Sequence, residues 1–175
     1  GDGKLVIPMS TGLDGANDVA IQADGKIVVA GFGIDNSWDF AVARILPNGA
    51  LDTSFDGDGK KTISIGTGSD FGESVAIQPD GKIVIAGSAE MGSNLSDFAV
   101  VRLHSDGSLD TSFDSDGKQT TPIGTSPDHA YAVALQPDGK IIVAGEGSSA
   151  SGYDWALTRY NSDGSLDTTF DGDGK

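Results

Sequence analysis

The stretch Gln78-Pro79-Asp80-Gly81-Lys82-Ile83-Val84-Ile85-Ala86-Gly87 decides the architecture of this chain, because it occurs three times. Its two counterparts start at Gln22, 56 residues earlier, and at Gln136, 58 residues later. Pro79-Asp80-Gly81 favours a type I turn with the glycine in the left-handed conformation, which closes a three-residue hairpin loop. The β-branched run that follows the turn predicts a buried strand.

This spacing predicts a repeat protein, because 175 residues hold three copies of one unit. We interpret residues 1–175 as a single repeat array with units at residues 4–59, 60–117 and 118–175. Each unit is expected to contribute four short strands, and no segment has helical periodicity over ten residues. In the first unit the predicted strands are Lys4 to Met9, Asp18 to Gln22, Lys26 to Gly31 and Asp39 to Leu46.

Four strands in each unit are typical of a β-propeller blade. The fourth predicted strand is apolar on both faces, with Phe40 and Val42 on one side and Ala41 and Ala43 on the other. Such a strand must be covered on both faces, which stacked sheets achieve. The predicted fold is therefore all-β, with β-propeller-type blades built from three tandem four-stranded antiparallel repeats. A parallel β-helix is the competing repeat fold, but its coils are shorter and lack two hairpin turns per unit.

The composition excludes several classes of function. The net charge of −15 argues against nucleic acid as a partner. No apolar run is long enough to predict a membrane span. The chain has no cysteine, which excludes a disulfide framework and a zinc–thiolate site. The absence of cysteine together with enrichment in Gly, Ser, Thr and Asp is typical of secreted bacterial proteins.

The repeat resembles a known family through two long sequences, QPDGKIVIAG at residues 78–87 and DFAVVRLHSDGSLDTSFDSDGK at residues 97–118. They are similar to the delta-60 repeat of large secreted bacterial proteins, a domain of unknown function classed as a β-propeller. The resemblance covers essentially the whole chain. It implies a repetitive, propeller-like protein located outside the cell or at the cell surface. It implies no established activity and no catalytic residues.

Three blades do not close a propeller ring, which usually needs four to eight. Two chains could form a six-bladed ring, the array could continue in a longer chain, or units could associate head to tail into a filament. The chain begins with Gly1-Asp2-Gly3-Lys4 and ends with the same four residues at 172–175, which favours the last two options. The expected partner is therefore a second copy or a further repeat.

An acidic segment, Asp56-Gly57-Asp58-Gly59, recurs in each repeat. Carboxylates on alternate residues around glycine can together bind a calcium ion. Calcium is the one cofactor that the sequence suggests. The glutamate of an EF-hand is missing, since Ile65 stands at its position, and hydrogen-bonded glycine-rich turns explain the same pattern. The candidate calcium ligands are Asp52, Asp56, Asp58, Asp110, Asp114, Asp116, Asp167, Asp171 and Asp173.

Other recurring charged residues predict structural contacts. Two further sets of aspartates precede or open strands, where carboxylates commonly accept hydrogen bonds from backbone donors. An arginine recurs on the fourth strand of each unit and suits a bidentate pair with a recurring carboxylate. The predicted pairs are Arg44 with Asp52, Arg102 with Asp110, and Arg159 with Asp167.

The expected function is non-enzymatic and structural: an extracellular scaffold, adhesin or self-assembling filament subunit. A protein- or glycan-binding propeller module is the alternative, with ligands at the variable loops beside Trp38 and Tyr153. A glycoside hydrolase is the third hypothesis. It would require an acid that departs from the repeat pattern, such as Glu73, Glu90 or Glu146.

Overall fold

The computed structural model describes residues 2–34, 36–92, 95–149 and 151–175. Within these ranges the chain forms eleven strands in three antiparallel sheets and contains no helix, so the predicted all-β class is confirmed. Accordingly, the described residues include no helix long and apolar enough to cross a membrane.

The three sheets follow one another along the chain. The first has the order β1-β2-β3-β4, with β1 at Asp14–Ile21, β2 at Ile27–Ile34, β3 at Trp38–Ile45 and β4 at Lys60–Ile63. The second repeats this order with β5 at Asp70–Ile77, β6 at Ile83–Glu90, β7 at Ser96–Leu103 and β8 at Lys118–Thr121. In the described residues the third contains β9 at His129–Leu135, β10 at Ile141–Ser149 and β11 at Gly152–Tyr160.

The outer strand of each four-stranded sheet comes from the following repeat unit. Lys61 lies opposite Val42, so β4 completes the first sheet although it opens the second unit. By the same rule Lys4 to Met9 would complete the sheet of a preceding blade. That segment was predicted to be a strand, and this prediction is wrong: it forms no strand here, because its hydrogen-bonding partner would belong to another blade.

The predicted hairpin turn between the first two strands of each sheet is confirmed. Gly81 has φ 86° and its N–H donates to the carbonyl of Gln78 at 2.9 Å. The Gln78 N–H in turn donates to Lys82 at 2.8 Å, which closes a three-residue loop. Gly25 and Gly139 hold the same left-handed conformation in the other repeats.

The core lies between consecutive sheets, which pack face to face. We call the face of a sheet that is turned towards the next sheet its forward face, and the opposite face its backward face. The two internal interfaces are built from equivalent residues. The forward faces contribute Val28, Phe40 and Val42 from the first sheet and Val84, Phe98 and Val100 from the second. They pack against equivalent backward-face residues, namely Ile83, Ile85 and Leu103 on the second sheet and Ile141, Val143 and Tyr160 on the third.

Candidate functional site

The three predicted arginine–aspartate ion pairs are present. Nε of the arginine lies 2.8 Å from Oδ2 of the aspartate in the first two repeats and 2.7 Å in the third. The geometry differs from the predicted bidentate pair, because Nη2 donates to a hydroxyl two residues beyond the aspartate, as Arg102 does to Ser112 at 3.1 Å. One carboxylate oxygen therefore accepts from the arginine, and the other accepts from the hydroxyl.

The same arginine connects one sheet to the next. The guanidinium of Arg102 lies 4.8 Å from the ring centroid of Phe113, and Nη1 donates to the carbonyl of Ser162 at 2.6 Å. Arg44 makes the equivalent bond to Ser105. In the described part of the chain, Arg159 bonds Asp167 and Thr169 but reaches no following turn.

The carboxylates of the acidic segment are occupied by separate partners. Asp56 is left-handed, with φ 49°, and pairs with Lys61 at 2.8 Å. Asp58 accepts from the backbone N–H of Lys60 at 2.9 Å. Asp52 accepts from the Ser54 hydroxyl, which lowers its pKa below the ordinary range, and Lys26 and Arg44 lower it further.

The other repeats place their candidate ligands in the same turns. Asp110 and Asp167 are buried beside their arginines. Burial raises the pKa of Asp114, and the nearby Asp116 and Asp163 raise it further. Across residues 2–34, 36–92, 95–149 and 151–175, no three acidic or histidine side chains form a group that could hold a metal. In this geometry the buried aspartates pair with arginines, and the second aspartate of each acidic segment accepts from the backbone N–H two residues further on, as Asp58, Asp116 and Asp173 do.

The aspartates that precede or open the first strand of each sheet accept hydrogen bonds from backbone donors, as their position predicts. Asp70 is fully buried and accepts from Ile65 at 2.6 Å and from Gly66 at 3.1 Å. Burial raises its pKa. Asp128 accepts from Ile123 at 2.7 Å in the same way. These carboxylates hold the segment that leads from one sheet into the next.

A polar cluster that does not follow the repeat lies on the inner strands β5 and β9 and on β10. The Glu73 carboxylate accepts from Asn17 at 2.9 Å, and burial raises its pKa while His129 partly lowers it. The Tyr131 hydroxyl donates to Glu146 at 2.7 Å. Burial and this hydrogen bond raise the pKa of Tyr131 to about 12. The sequence identifies the two glutamates as exceptions to the repeat but not their proximity to Tyr131.

The remaining residues proposed from sequence lie elsewhere. Glu90 accepts from the backbone of Ser69 at 3.2 Å, as a loop contact. Trp38 packs against Phe32 and Phe71, with ring centroids 5.2 Å and 5.7 Å away, so it anchors its loop. Tyr153 is 53% exposed. The two aromatics at this repeat position therefore differ in environment.

Both ends of the stack leave apolar surface uncovered. On the forward face of the third sheet, Trp155 is 94% exposed and Leu157 is 41% exposed. On the backward face of the first sheet, a groove of about 400 Å³ is lined mainly by apolar side chains, including Leu5, Ile7 and Val29. The sequence did not reveal these surfaces, because their residues match positions that are core in the neighbouring repeats.

Comparison with known proteins places this architecture in a family. The sequence profile of the family described as "Domain of unknown function (DUF5122) beta-propeller" matches residues 22–55, 78–113 and 136–170, more than half of the chain. The chain belongs to the DUF5122 β-propeller family. The three matches repeat in step with the three sheets, which confirms the predicted β-propeller repeat.

Two further comparisons add nothing on function. No curated protein matches the DUF5122 chain. A solved structure described as the X-ray structure of a "putative gluconolactonase" is similar over 86% of this chain and 46% of that chain, at 14% identity and a TM-score of 0.39. The chain thus spans less than half the length of that protein, and a likeness of this degree carries no argument about activity.

Proposed function

We propose that this chain is a non-enzymatic structural repeat protein whose sheets stack onto neighbouring sheets to build a scaffold, adhesin or filament. The observation that carries the proposal is the equivalence of its two internal interfaces. Each uses the same repeat positions for its apolar core and the same arginine to reach the next turn. A stack with such interfaces can be extended by any further copy of the unit.

The acidic residues support a structural role over catalysis. A glycosidase uses two carboxylates that are free to donate a proton and to attack or activate water. The glutamates that depart from the repeat pattern instead accept hydrogen bonds from Asn17, Ser69 and Tyr131. We therefore propose no catalytic residue.

We further propose that the protein works outside the cell or at the cell surface and that its repeat is of the delta-60 kind. The support is compositional, namely the absence of cysteine and the enrichment in Gly, Ser, Thr and Asp, together with the repeat sequences themselves. A fractionation experiment on the source cells tests the location. Recovery in the cytoplasm alone would contradict it.

A binding module is the second candidate, and the polar cluster around Tyr131 favours it. Carboxylates beside an exposed aromatic ring suit a hydroxyl-rich or cationic ligand. Thermal-shift screening against glycans distinguishes the two functions. A structural protein gives a large ligand-independent mass and no shift, whereas a binding module gives a shift that Glu73→Gln and Glu146→Gln remove.

A further inference from the structure

We propose that the forward face of the third sheet, centred on Trp155, docks into the apolar groove on the backward face of the first sheet of a second copy of this chain. This inference rests on the proposed structural function and specifies the interface. The contact is head to tail, so each copy uses two different surfaces. The copies form a closed ring if the rotation between them closes and an open filament if it does not.

The repeat itself shows what covers the Trp155 face. Phe40, Phe98 and Trp155 occupy one position of three successive repeats. Phe40 and Phe98 are fully buried because the next sheet packs on them, whereas Trp155 is 94% exposed. The same contrast holds for the ring under the arginine, since Phe55 and Phe113 are fully buried and Phe170 is only half-buried. The third forward face therefore has the composition of an internal interface without its second half.

The groove on the first sheet is the missing half of the same interface. Its wall residues Ile7 and Met9 correspond to Ile63 and Ile65, which pack in the core between the first and second sheets. Its floor residues Ile27 and Val29 correspond to the buried Ile83 and Ile85 on the second sheet. The groove of about 400 Å³ therefore lies where the forward face of a preceding sheet packs at an internal interface.

Polar groups at the two ends match as well. At the internal interfaces, the arginine Nη1 donates to the carbonyl of the first residue of the next turn. A backbone N–H donates to the carbonyl of the second residue, as the Asp114 N–H does to Asp163 at 2.8 Å. The corresponding turn on the first sheet is Pro47-Asn48-Gly49, which is exposed. In the docked pair, Arg159 would donate to the Pro47 carbonyl of the second copy.

A glycine supports this match independently. A Cβ on Gly107 would lie 3.1 Å from the ring of Phe55, and one on Gly164 would lie 3.2 Å from that of Phe113, so each turn closely abuts the preceding sheet. A Cβ on the equivalent Gly49 meets nothing within 4 Å. The first turn is thus shaped to receive a phenylalanine that this chain does not provide, and Phe170 of a second copy fits that role.

The test uses two variants that each block one face. Trp155→Glu places a charge on the forward face, and Val29→Glu places one in the groove. Each is expected to weaken self-association at least about 30-fold, because a charge at the centre of an apolar interface must be desolvated. Met91→Glu is the matched control, since Met91 is 43% exposed in the second repeat, outside both end faces. Circular dichroism and urea unfolding establish that all variants fold.

Mixing the two variants tests whether the Trp155 face pairs with the groove. Trp155→Glu retains its groove and Val29→Glu retains its tryptophan, so an equimolar mixture is expected to form a complex of two chains by light scattering, although neither variant assembles alone. Leu5→Glu, at the 54% exposed rim of the groove, replaces Val29→Glu if that variant does not fold. Failure of the mixture to form this complex overturns the proposed pairing of faces.

The outcomes separate this inference from the proposed function. If the wild-type chain assembles and Trp155→Glu assembles equally well, this interface is wrong and structural self-association remains. If the wild-type chain stays at the mass of one chain at all concentrations, both are overturned. If Met91→Glu disrupts assembly as strongly as Trp155→Glu, the specificity of the interface is contradicted.

Discussion

Nε of Arg102 lies 2.8 Å from Oδ2 of Asp110, with only 5% and 2% of the two side chains exposed. Arg102 also stacks over Phe113 and donates to Ser162 in the next repeat. One side chain thus joins its own strand, the turn after it and the following sheet. Arg44 makes the same three contacts in the first repeat, so this position joins consecutive sheets at both internal interfaces.

Arg102→Lys is expected to destabilise the protein by about 2 kcal/mol, because lysine keeps the charge but loses the Nε bond, the planar stacking and the bond to the next turn. Urea unfolding measures the change. Arg159→Lys is the matched control, and both variants are compared in the Trp155→Glu background, where association between copies is blocked. Arg159 is 19% exposed and reaches no following turn in the described chain, so its loss should be smaller. Equal losses in both variants would contradict a role in joining sheets.

Acidification is expected to expose the contribution of Asp52 to stability. Hydrogen bonding to Ser54 and pairing with Lys26 and Arg44 hold its pKa below that of the unfolded chain, which is about 3.9. Its stabilising effect is therefore complete above that pH and is lost as the pH falls through the lower folded pKa. Asp52→Asn should flatten the fall in the free energy of unfolding between about pH 5 and pH 2.

Asp70 provides a control of opposite sign. Burial raises its pKa, so the folded state binds this proton more tightly than the unfolded state, and protonation adds stability as the pH falls. Asp70→Asn should therefore make the acid-induced loss of stability steeper. The same pH response in both variants would contradict these pKa directions.

Chelation tests the calcium hypothesis. Because Asp52, Asp56 and Asp58 already have separate partners, we expect EDTA to leave the melting temperature unchanged and added calcium to raise it by no more than magnesium does. Differential scanning calorimetry measures both. A fall in the melting temperature with EDTA that calcium alone restores would establish the site that the acidic spacing predicts.

Substitution of Glu146 is expected to strengthen self-association. It lies opposite Trp155 in the register of the third sheet, where the second repeat has Ser88 at an internal interface. The Ser88 hydroxyl accepts from the backbone of Ala130 across that interface at 3.1 Å. Glu146→Ser removes a charge from the docking face and should tighten self-association about 10-fold in sedimentation experiments. Unchanged or weaker association would contradict the placement of this face.

Local sequence signals predicted the repeat, the hairpin turns and the arginine–aspartate pairs, because each depends on residues close together in the chain. The left-handed Gly81 is set by its own turn, and Arg102 and Asp110 are eight residues apart. Because the sequence repeats, the same turn and the same ion pair are expected in each of the three copies.

Features that depend on a partner from another repeat were not predictable in this way. Lys60 to Ile63 was assigned to the second unit, yet it completes the first sheet, because strand pairing is decided by the free edge of β3. Lys4 to Met9 has a similar sequence but no such edge beside it. Likewise, the repeat pattern assigns Trp155 the same position as the buried Phe98, and only the order of the sheets reveals that no other sheet in the described residues covers Trp155.

The solution mass of the wild-type chain, measured by light scattering over a range of concentration and salt, shows whether the two end faces assemble. We predict a mass above the 17.8 kDa of one chain that increases with concentration. Added salt should raise it further, since screening weakens the repulsion between copies that each carry a net charge of −15. A constant mass of 17.8 kDa under all conditions would contradict assembly through the two end faces.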